Sequence, residues 1–402
     1  MQDIYLDHSA TTPVRPEAAE ITNHYMTDQF GNPSSVHTFG KAAHLAMERA
    51  RQQIADAVNA SPAEIVFTSG GTESDNLAII GAAYRYAGQG RHLITSAIEH
   101  EAVLAAFKFL EAAGFELTVL PVDAYGMVVL ADIEAALRRD TILLSVMHAN
   151  NEVGTIQPIT EIGRLAKKNK TLFHVDAVGS FGKIPVDVEE FGADLLSASS
   201  HKIYGPKGTG FLYIREGVEL RPLFYGGKQE GSFRPGTENL PGIAGMGLAA
   251  ELAIREMAPE MQRQAGLRDR LQKGLQERIP QIKINGHPER RVACNVNIAV
   301  AGLKAADLLA ALDEEGIAAS SASACSAPSA QASHVLMAMG LDKELAQGAL
   351  RLTLGRKTTG EEIDYALKII PAVVADLRSQ QEDAEAEPDY GYAPADCPCN
   401  LE

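Results

Sequence analysis

An alternation of short apolar strands with helical segments constrains this chain more than any other feature of its sequence. Strand-like runs at 65–68, 92–96 and 172–175 are separated by segments whose apolar residues recur at helical spacing. Parallel strands need long crossover connections, which are usually helices. The alternation therefore predicts an α/β fold in which a mostly parallel sheet carries helices on both faces.

The C-terminal part of the chain follows a different pattern. Strand signals at 295–300 and 351–354 lie on either side of a helical segment at 306–314. Further on, six apolar residues share one helical face: Ile363, Ala366, Leu367, Ile370, Val374 and Leu377. We predict a smaller α+β domain in which this helix covers an antiparallel sheet.

Domain boundaries follow from the two patterns and from the length of 402 residues, which is long for a single core. We predict a large domain over residues 14–258. Residues 1–13 and 259–378 form the small domain, and a long helical region at 243–278 links the two. The tail at 379–402 contains seven acids and no Lys or Arg, and is predicted to be disordered.

Charge and hydropathy exclude several classes of protein. The formal net charge of −16 leaves no basic excess to neutralise the phosphates of a nucleic acid. No apolar run is long enough to cross a membrane. The four cysteines are too few and too unevenly spread for a disulfide framework, so we predict a cytoplasmic protein. They are Cys294, Cys325, Cys397 and Cys399.

Cys325 lies in a segment of almost only small residues, from Ala319 to Ala330. No large side chain is present there to pack into a core, so a mobile loop that carries a thiol is favoured over a buried structural cysteine. Cys397 and Cys399 could bind a metal or accept sulfur, but an incidental exposed pair is favoured. No metal site is predicted.

Lys202 follows strand-like residues at 195–198 and precedes a turn rich in Gly and Pro. A lysine held where a strand runs into a tight loop can be desolvated, which lowers its pKa and makes its amine a nucleophile. Ser199 and His201 could donate hydrogen bonds to a phosphate. Taken alone, the stretch also fits an ordinary exposed lysine beside a turn.

Other strand ends carry polar residues at the edge where open α/β sheets bind ligands. After the strand at 65–68, a glycine turn at Gly71 is predicted to lead into a helix near Ser74. This arrangement binds anions at the helix N-terminus, although a plain strand-to-helix turn has the same pattern. Asp176 could pair with a protonated ring nitrogen, whereas a lone histidine such as His100 is more often structural.

Ten motifs of the chain, in their order, resemble those of the NifS-like/IscS-like cysteine desulfurases. This family belongs to the class V branch of the fold-type I pyridoxal-phosphate enzymes, and the resemblance covers about residues 4–377. The motifs are Leu-Asp-His-Ser-Ala-Thr-Thr-Pro, Gly-Asn-Pro-Ser-Ser, Thr-Ser-Gly-Gly-Thr-Glu-Ser-Asp-Asn, Ile-Glu-His, Asn-Asn-Glu-Val-Gly, Val-Asp-Ala, Ser-Ser-His-Lys, Arg-Pro-Gly-Thr-Glu-Asn, Ser-Ala-Cys-Ser and Arg-Leu-Thr-Leu-Gly-Arg.

The resemblance implies pyridoxal 5'-phosphate as the cofactor, held covalently by Lys202. It also implies that His100 stacks on the pyridine ring and that Asp176 pairs with the ring nitrogen, so that the ring withdraws electrons. The implied phosphate ligands are Gly71, Thr72, Ser199, His201 and, from the other subunit of a homodimer, Thr237.

The substrate implied by the resemblance is L-cysteine, which is converted to L-alanine. Asn151 lies at the cofactor and substrate, and Arg351 clamps the substrate carboxylate, for which a guanidinium is suited. Cys325 is the nucleophile that takes the sulfur as a persulfide. It then passes the sulfur to an acceptor protein such as an iron–sulfur scaffold.

The chain departs from the family pattern at two positions. The family usually has a glutamine that bonds the phenolic oxygen of the cofactor where this chain has Gly179. We therefore expect a Gly179→Gln substitution to be tolerated and to restore that bond. Lys228 replaces a usual glycine in a long glycine-rich connection at 226–239, which is expected to be functional or to lie at an interface.

We therefore interpret the chain as a homodimeric cysteine desulfurase of the pyridoxal-phosphate class. Three alternatives stay open at this point: a selenocysteine lyase, a class V aminotransferase, and an assembly or regulatory subunit with weak turnover. An aminotransferase is disfavoured because it needs no mobile cysteine. Gly179 makes a subunit with weak turnover conceivable.

Overall fold

The structure, a computed structural model, describes residues 3–321 and 332–386, the last four by their backbone alone. Cys325, Cys397 and Cys399 lie outside the described residues, as does most of the predicted small-residue loop. The strands of the described part are β1 Ile4–Tyr5, β2 Ile65–Thr68, β3 His92–Ser96, β4 Glu116–Leu120, β5 Thr141–Ser145, β6 Leu172–Asp176, β7 Leu195–Ser199, β8 Gly210–Ile214, β9 Ile282–Ile284, β10 Asn295–Val300, β11 Ile317–Ala318, β12 Ser320–Ser321 and β13 Ala349–Thr353.

Helices pack against both faces of the larger sheet and both faces of the smaller sheet. They are α1 Pro16–Thr27, α2 Thr38–Val58, α3 Gly71–Tyr86, α4 Glu101–Ala112, α5 Leu130–Ala136, α6 Ile159–Asn169, α7 Val188–Phe191, α8 Leu240–Arg278, α9 Ala305–Glu314, α10 His334–Ala338, α11 Lys343–Gln347 and α12 Gly360–Ala386. Among the helices of the described residues, none is long and apolar enough to cross a membrane.

Seven strands form the central sheet in the order β2-β8-β7-β6-β5-β3-β4. Only β8 runs antiparallel to its neighbours in this sheet, which confirms the predicted, mostly parallel α/β architecture. Successive side chains of a strand point to opposite faces. Leu195 and Leu196 accordingly belong to two different apolar cores, one on each side of the sheet.

A third core surrounds a four-stranded antiparallel sheet in the order β12-β13-β10-β9. The predicted apolar face of α12 packs here, with Ile363 and Ile370 fully buried and Leu377 partly buried. The smaller α+β unit and its covering helix are thus as predicted. β1 joins this side of the molecule by pairing in parallel with β11.

Helix α8 contributes to both the large and the small unit. Its residues Ile243 and Met246 are buried in the core against the large sheet, whereas Leu271 and Leu275 are buried in the core of the small sheet. The division predicted after residue 258 falls inside this continuous helix. That division stays a prediction.

The helix α12 extends into the segment predicted to be disordered. It ends at Ala386, so residues 379–386 are helical and the predicted start of the tail is wrong. Arg378 donates to the carbonyl oxygens of Pro280 and Ala301, each at 3.1 Å, which ties the helix to the body of the protein. A rule based on charge composition does not register that a segment continues an anchored helix.

Candidate active site

A cleft at the carboxyl ends of the parallel strands brings together nine of the eleven site residues predicted from the sequence. They are Gly71, Thr72, His100, Asn151, Asp176, Ser199, His201, Lys202 and Arg351. Eight of these come from the large sheet and the loops that follow its strands, and Arg351 comes from β13 of the small sheet. The tertiary structure therefore joins two units at this cleft.

The other two predicted residues are not among those that line the cleft. Thr237 is exposed in the connection that precedes α8. Cys325 belongs to residues 322–331, outside the described part of the chain. The roles of both residues stay predictions.

Lys202 ends a single 3₁₀ turn, Ser200–Lys202, that directly follows β7. Its Nζ donates to the carbonyl oxygens of Ser9 and Ala10, the latter at 2.8 Å. The amine is thus held inside the cleft by the segment that follows β1. Sequence reasoning missed these two carbonyl groups, because a backbone acceptor has no side-chain signature.

Asp176 is the last residue of β6 and is buried at the floor of the cleft. One carboxylate oxygen accepts a hydrogen bond of 2.8 Å from the backbone N–H of Val178. Burial raises the pKa of Asp176, and the nearby His100 and Lys202 act in the opposite direction. A carboxyl group with a raised pKa can share a proton with a ring nitrogen placed beside it.

Asp75 is a buried carboxyl group of the cleft that the sequence analysis did not select. Burial and the neighbouring Asp176 raise its pKa well above the ordinary range of a carboxyl group. His174 lies 3.6 Å from Asp75 and, with a pKa lowered by burial to about 3, is neutral at pH 7. Asp75 therefore disfavours a second negative charge beside Asp176, since two carboxylates at one buried site repel each other.

His100 caps the N-terminus of α4 with its own ring. Its Nδ1 accepts a hydrogen bond of 3.1 Å from the backbone N–H of Ala102. A neutral His100 therefore carries its proton on Nε2, because Nδ1 is used as an acceptor. This capping bond fixes the ring at the edge of the cleft.

The predicted anion site lies where β2 turns into α3. The helix begins at Gly71, three residues before the predicted start, and Gly70 has a φ of 153° that residues with side chains rarely adopt. A Cβ on Gly71 would lie 2.6 Å from a methyl group of Val178, so the close approach needs glycine. Gly71 and Thr72, the first residues of α3, line this part of the cleft, and the N-terminus of a helix suits a phosphate.

His201 and Ser199 complete this end of the cleft. Burial lowers the pKa of His201 to about 4, with further contributions from Lys202 and other lysines, so the ring is neutral at pH 7. Its Nδ1 lies 3.1 Å from the hydroxyl oxygen of Thr11. A neutral imidazole and a serine hydroxyl are both suitable donors to a phosphate oxygen.

Arg351 is buried on β13 at the other end of the cleft. It forms an ion pair of 3.0 Å with Asp7 and donates to the backbone oxygen of Asn151 at 3.2 Å. Its Nε has no hydrogen-bond partner among the described residues. Sequence reasoning identified Arg351 but missed Asp7. A carboxylate in a polar turn near the start of the chain gives no sign of a partner 344 residues further on.

Gly179 lines the cleft, but the space beside its Cα is already filled. A Cβ at this position would lie 2.6 Å from the carbonyl oxygen of Ala149. This is closer than Cβ atoms approach a backbone oxygen, so a side chain requires the backbone to shift. The expectation that Gly179→Gln is tolerated is therefore wrong.

Comparisons with known proteins agree with this architecture. The model of the class-V aminotransferase family matches residues 4–366. The cysteine desulfurase IscS of Methanosarcina thermophila is 51% identical, with 94% of this chain and 93% of that protein covered. The corresponding protein of Dictyoglomus turgidum is 49% identical, with 94% and 96% covered.

Solved structures show the same relationship. A NifS-like protein superposes with a TM-score of 0.88 at 40% identity, covering 93% of this chain and all of that one. A structure described as SspA in complex with cysteine has a TM-score of 0.78 at 38% identity, covering 87% of this chain and 98% of that one.

The chain belongs to the class-V aminotransferase family, whose members use pyridoxal 5'-phosphate. Within that family it belongs to the cysteine desulfurases, as its full-length likeness to them shows. The cleft fits the cofactor. A helix N-terminus suits the phosphate, a buried carboxyl group suits the ring nitrogen, and a lysine lines the same cleft.

Proposed function

We propose that the protein converts L-cysteine to L-alanine and transfers the sulfur to its own Cys325. The observation that carries this proposal is the convergence of Lys202, Asp176, His100 and Arg351 on one cleft. When bound there, pyridoxal phosphate would withdraw electrons from the substrate carbon atoms. The remaining chemistry belongs to the side chains of this chain.

Lys202 and Asp176 would do the proton chemistry of the first stage. The amine of Lys202 is suited to move a proton from the substrate Cα, since it lies in the cleft and can act as a base once it is released. Asp176 would pair with the proton of the ring nitrogen, a role supported by its burial at the end of β6 and by its place in the cleft beside Lys202.

Arg351 would bind the carboxylate of L-cysteine. Its Nε is buried without a partner among the described residues, and such a donor is costly to leave unpaired. A substrate carboxylate would satisfy it and compete with Asp7 for the guanidinium. The structural relative solved with cysteine supports this choice of substrate.

The nucleophile of the sulfur transfer would be the thiolate of Cys325. It would attack the substrate sulfur, forming a sulfur–sulfur bond as the carbon–sulfur bond breaks, and the carbon would keep the electron pair and take up protons to become L-alanine. The described residues on either side of 322–331 lie next to residues of the cleft, which supports the access of Cys325 to the substrate. Ser320 pairs with Arg351 across the sheet, and the Ser333 hydroxyl donates to Glu152, next to Asn151.

The test is to compare Lys202→Ala and Cys325→Ala with the wild type. We expect Lys202→Ala to lose both the visible absorbance of bound cofactor and all alanine formation. Cys325→Ala should keep the absorbance and its response to L-cysteine but form neither persulfide nor alanine. Normal alanine formation by either variant would contradict the proposal.

The protein is further proposed to be a homodimer. Four apolar side chains that are close in the sequence, Met26, Phe30, Val36 and Phe39, are exposed, and the rings of Phe30 and Phe39 lie 5.8 Å apart. We call these four residues the apolar patch. Exposed apolar residues in such a group mark an interaction surface. A second subunit docked there would let Thr237 reach the phosphate of the neighbouring site.

The persulfide would be passed to a sulfur-acceptor protein, for which an iron–sulfur scaffold is our candidate. A thiol that cycles through a persulfide is best preserved in a reducing compartment, so we place this activity in the cytoplasm. Incubation of the persulfide form with a purified scaffold should move radiolabelled sulfur to the scaffold. Retention of the label on the enzyme would exclude that acceptor.

A further inference from the structure

We propose that a buried ion pair between Arg51 and Glu230 positions Thr237 for the cofactor phosphate of the partner subunit. The inference rests on the homodimer and the role of Thr237 in the proposed function. Neither charged residue would touch the cofactor. Both would act by fixing the connection that carries Thr237.

Glu230 is the unusual residue of this connection. Across residues 221–239, all of which the structure describes, it is the only buried side chain. Burying a carboxylate is unfavourable unless it is paired and hydrogen-bonded. The partners of Glu230 therefore decide where this exposed connection lies.

Those partners come from two elements of the large unit. Arg51 of α2 meets the carboxylate with both terminal nitrogens, at 2.7 and 2.9 Å. The backbone N–H of Phe67 on β2 donates to the same carboxylate at 2.7 Å. Arg51 also donates to the carbonyl oxygen of Ile65 at 2.6 Å, so the pair is bonded to the strand that leads into the phosphate site.

The backbone beside this ion pair is strained. Glu230, Gly231 and Ser232 have φ values of 45°, 63° and 71°, and two of these three residues carry side chains. Left-handed backbone at such residues persists only where the surroundings hold it. The hydrogen bonds to Glu230 stabilise this backbone conformation. Without them we expect the connection to adopt another conformation.

Two further bonds link this anchor to Thr237. The side-chain oxygen of Gln229 accepts from the backbone N–H of Gly236 at 3.1 Å, which closes the connection directly before Thr237. Arg234 donates to Glu73 at 3.0 Å, beside Thr72 of the phosphate site. The position of Thr237 therefore depends on the same short segment that Glu230 fixes.

The first experiment measures the affinity of the cofactor-free dimer for two ligands, pyridoxal 5'-phosphate and pyridoxal, in the variant Glu230→Gln. We expect the affinity for pyridoxal 5'-phosphate to fall about tenfold, as for the loss of one hydrogen bond to a charged group. The affinity for pyridoxal, which lacks the phosphate, should change less than twofold. A merely structural role would weaken both ligands alike.

Glu48→Gln is the matched control, because Glu48 pairs with the same arginine at 3.0 Å but is more exposed than Glu230, and its hydrogen bond is to Arg51 and not to the connection. It should leave both affinities unchanged. Should Glu230→Gln not fold, Arg51→Lys keeps the buried charge but loses the two-pronged contact, and the same selective loss is expected. Equal loss of both ligands, or no loss, would overturn the inference.

Coupling to Thr237 is tested with the double variant. Thr237→Ala should reproduce the selective loss, and adding Glu230→Gln to it should weaken the affinity for pyridoxal 5'-phosphate no further, since both changes remove one contact. Additive losses would mean that Glu230 acts elsewhere. If Lys202→Ala bound pyridoxal 5'-phosphate as tightly as the wild type does, the proposed function itself would be overturned.

Hybrid dimers then show whether Glu230 affects the cofactor site of its own subunit or that of the partner subunit. In a dimer of Lys202→Ala with Glu230→Gln, the only competent lysine should face an intact connection and bind the cofactor with wild-type affinity. In a dimer of wild type with the Lys202→Ala/Glu230→Gln double variant, that lysine should face the altered connection and bind about tenfold more weakly. The reverse pattern would overturn the assignment to the partner subunit.

Discussion

At the scale of the residue, the cleft depends on contacts between positions far apart in the sequence. Lys202 is held by Ser9 and Ala10, and Arg351 by Asp7. The short segment after β1 thus contacts both the amine and the guanidinium. Substitutions in this segment should change the site as directly as substitutions of the two cations.

Gly179 gives a prediction about stability. We expect Gly179→Gln to lower the free energy of unfolding by about 1–3 kcal/mol, because its Cβ would lie 2.6 Å from the oxygen of Ala149. Urea denaturation measures the difference. Gly88→Gln is the control, since a Cβ there meets nothing within 4 Å. Equal stability of the two variants would contradict the prediction.

Glu99 gives a prediction about pH. It is fully buried, and burial raises its pKa to about 8 from a usual 4.5. The folded protein then holds a proton that the unfolded chain releases, so this residue makes stability fall as pH rises from about 5 to about 8. Glu99→Gln should remove this dependence, by at most about 1.4 kcal/mol per pH unit.

The measurement is the free energy of unfolding of both proteins between pH 6.5 and 8. In that window the buried His148, with a pKa lowered by burial to about 4, stays neutral in the folded state, and its protonation in the unfolded chain contributes equally to both proteins. The wild type should lose stability relative to Glu99→Gln as pH rises. Parallel curves would show that Glu99 is ionised in the folded protein.

At the scale of the element, the short helix α10 depends on one serine. Ser333 accepts from the backbone N–H of Leu336 at 3.2 Å and donates to the buried carboxyl group of Glu152. One hydroxyl thus caps a helix and pairs a carboxyl group. The helix is too short to be stable by its own hydrogen bonds.

We expect Ser333→Ala to destabilise the fold by about 1–3 kcal/mol, through the lost cap and the unpaired carboxyl group. Burial raises the pKa of Glu152 to about 7, so the loss should be larger at pH 8, where the group is ionised, than at pH 6. Thermal unfolding at the two pH values measures it. Ser333→Thr keeps a hydroxyl, so its stability should stay near that of the wild type. A loss of stability in Ser333→Ala that is the same at both pH values would refute the role of Glu152.

At the scale of the whole molecule, the proposed homodimer gives a prediction about the apolar patch. Phe39 is 56% exposed within the apolar patch, and Phe109 on α4 is 52% exposed outside it. We expect Phe39→Asp to shift the protein from dimer to monomer in sedimentation experiments, since a charge would be buried at the interface. Phe109→Asp should remain dimeric, and a dimeric Phe39→Asp would remove the patch from the interface.

The sequence by itself determined the architecture and most of the cleft. Strand and helix periodicities specify which residues are buried, and strand ends specify one edge of the sheet, so Lys202, Asp176 and His100 could be placed together. Local motifs predicted an anion site at the turn after β2, which stays a prediction, and α3 begins three residues before its predicted start.

Only the tertiary structure decided the contacts across that edge. The proximity of Asp75 to Asp176, the carbonyl groups that hold Lys202 and the oxygen of Ala149 that excludes a side chain at Gly179 have no pattern along the chain. Periodicity reports which face of an element is apolar. It does not report the distance between atoms on different elements, which is set by how the packed units meet.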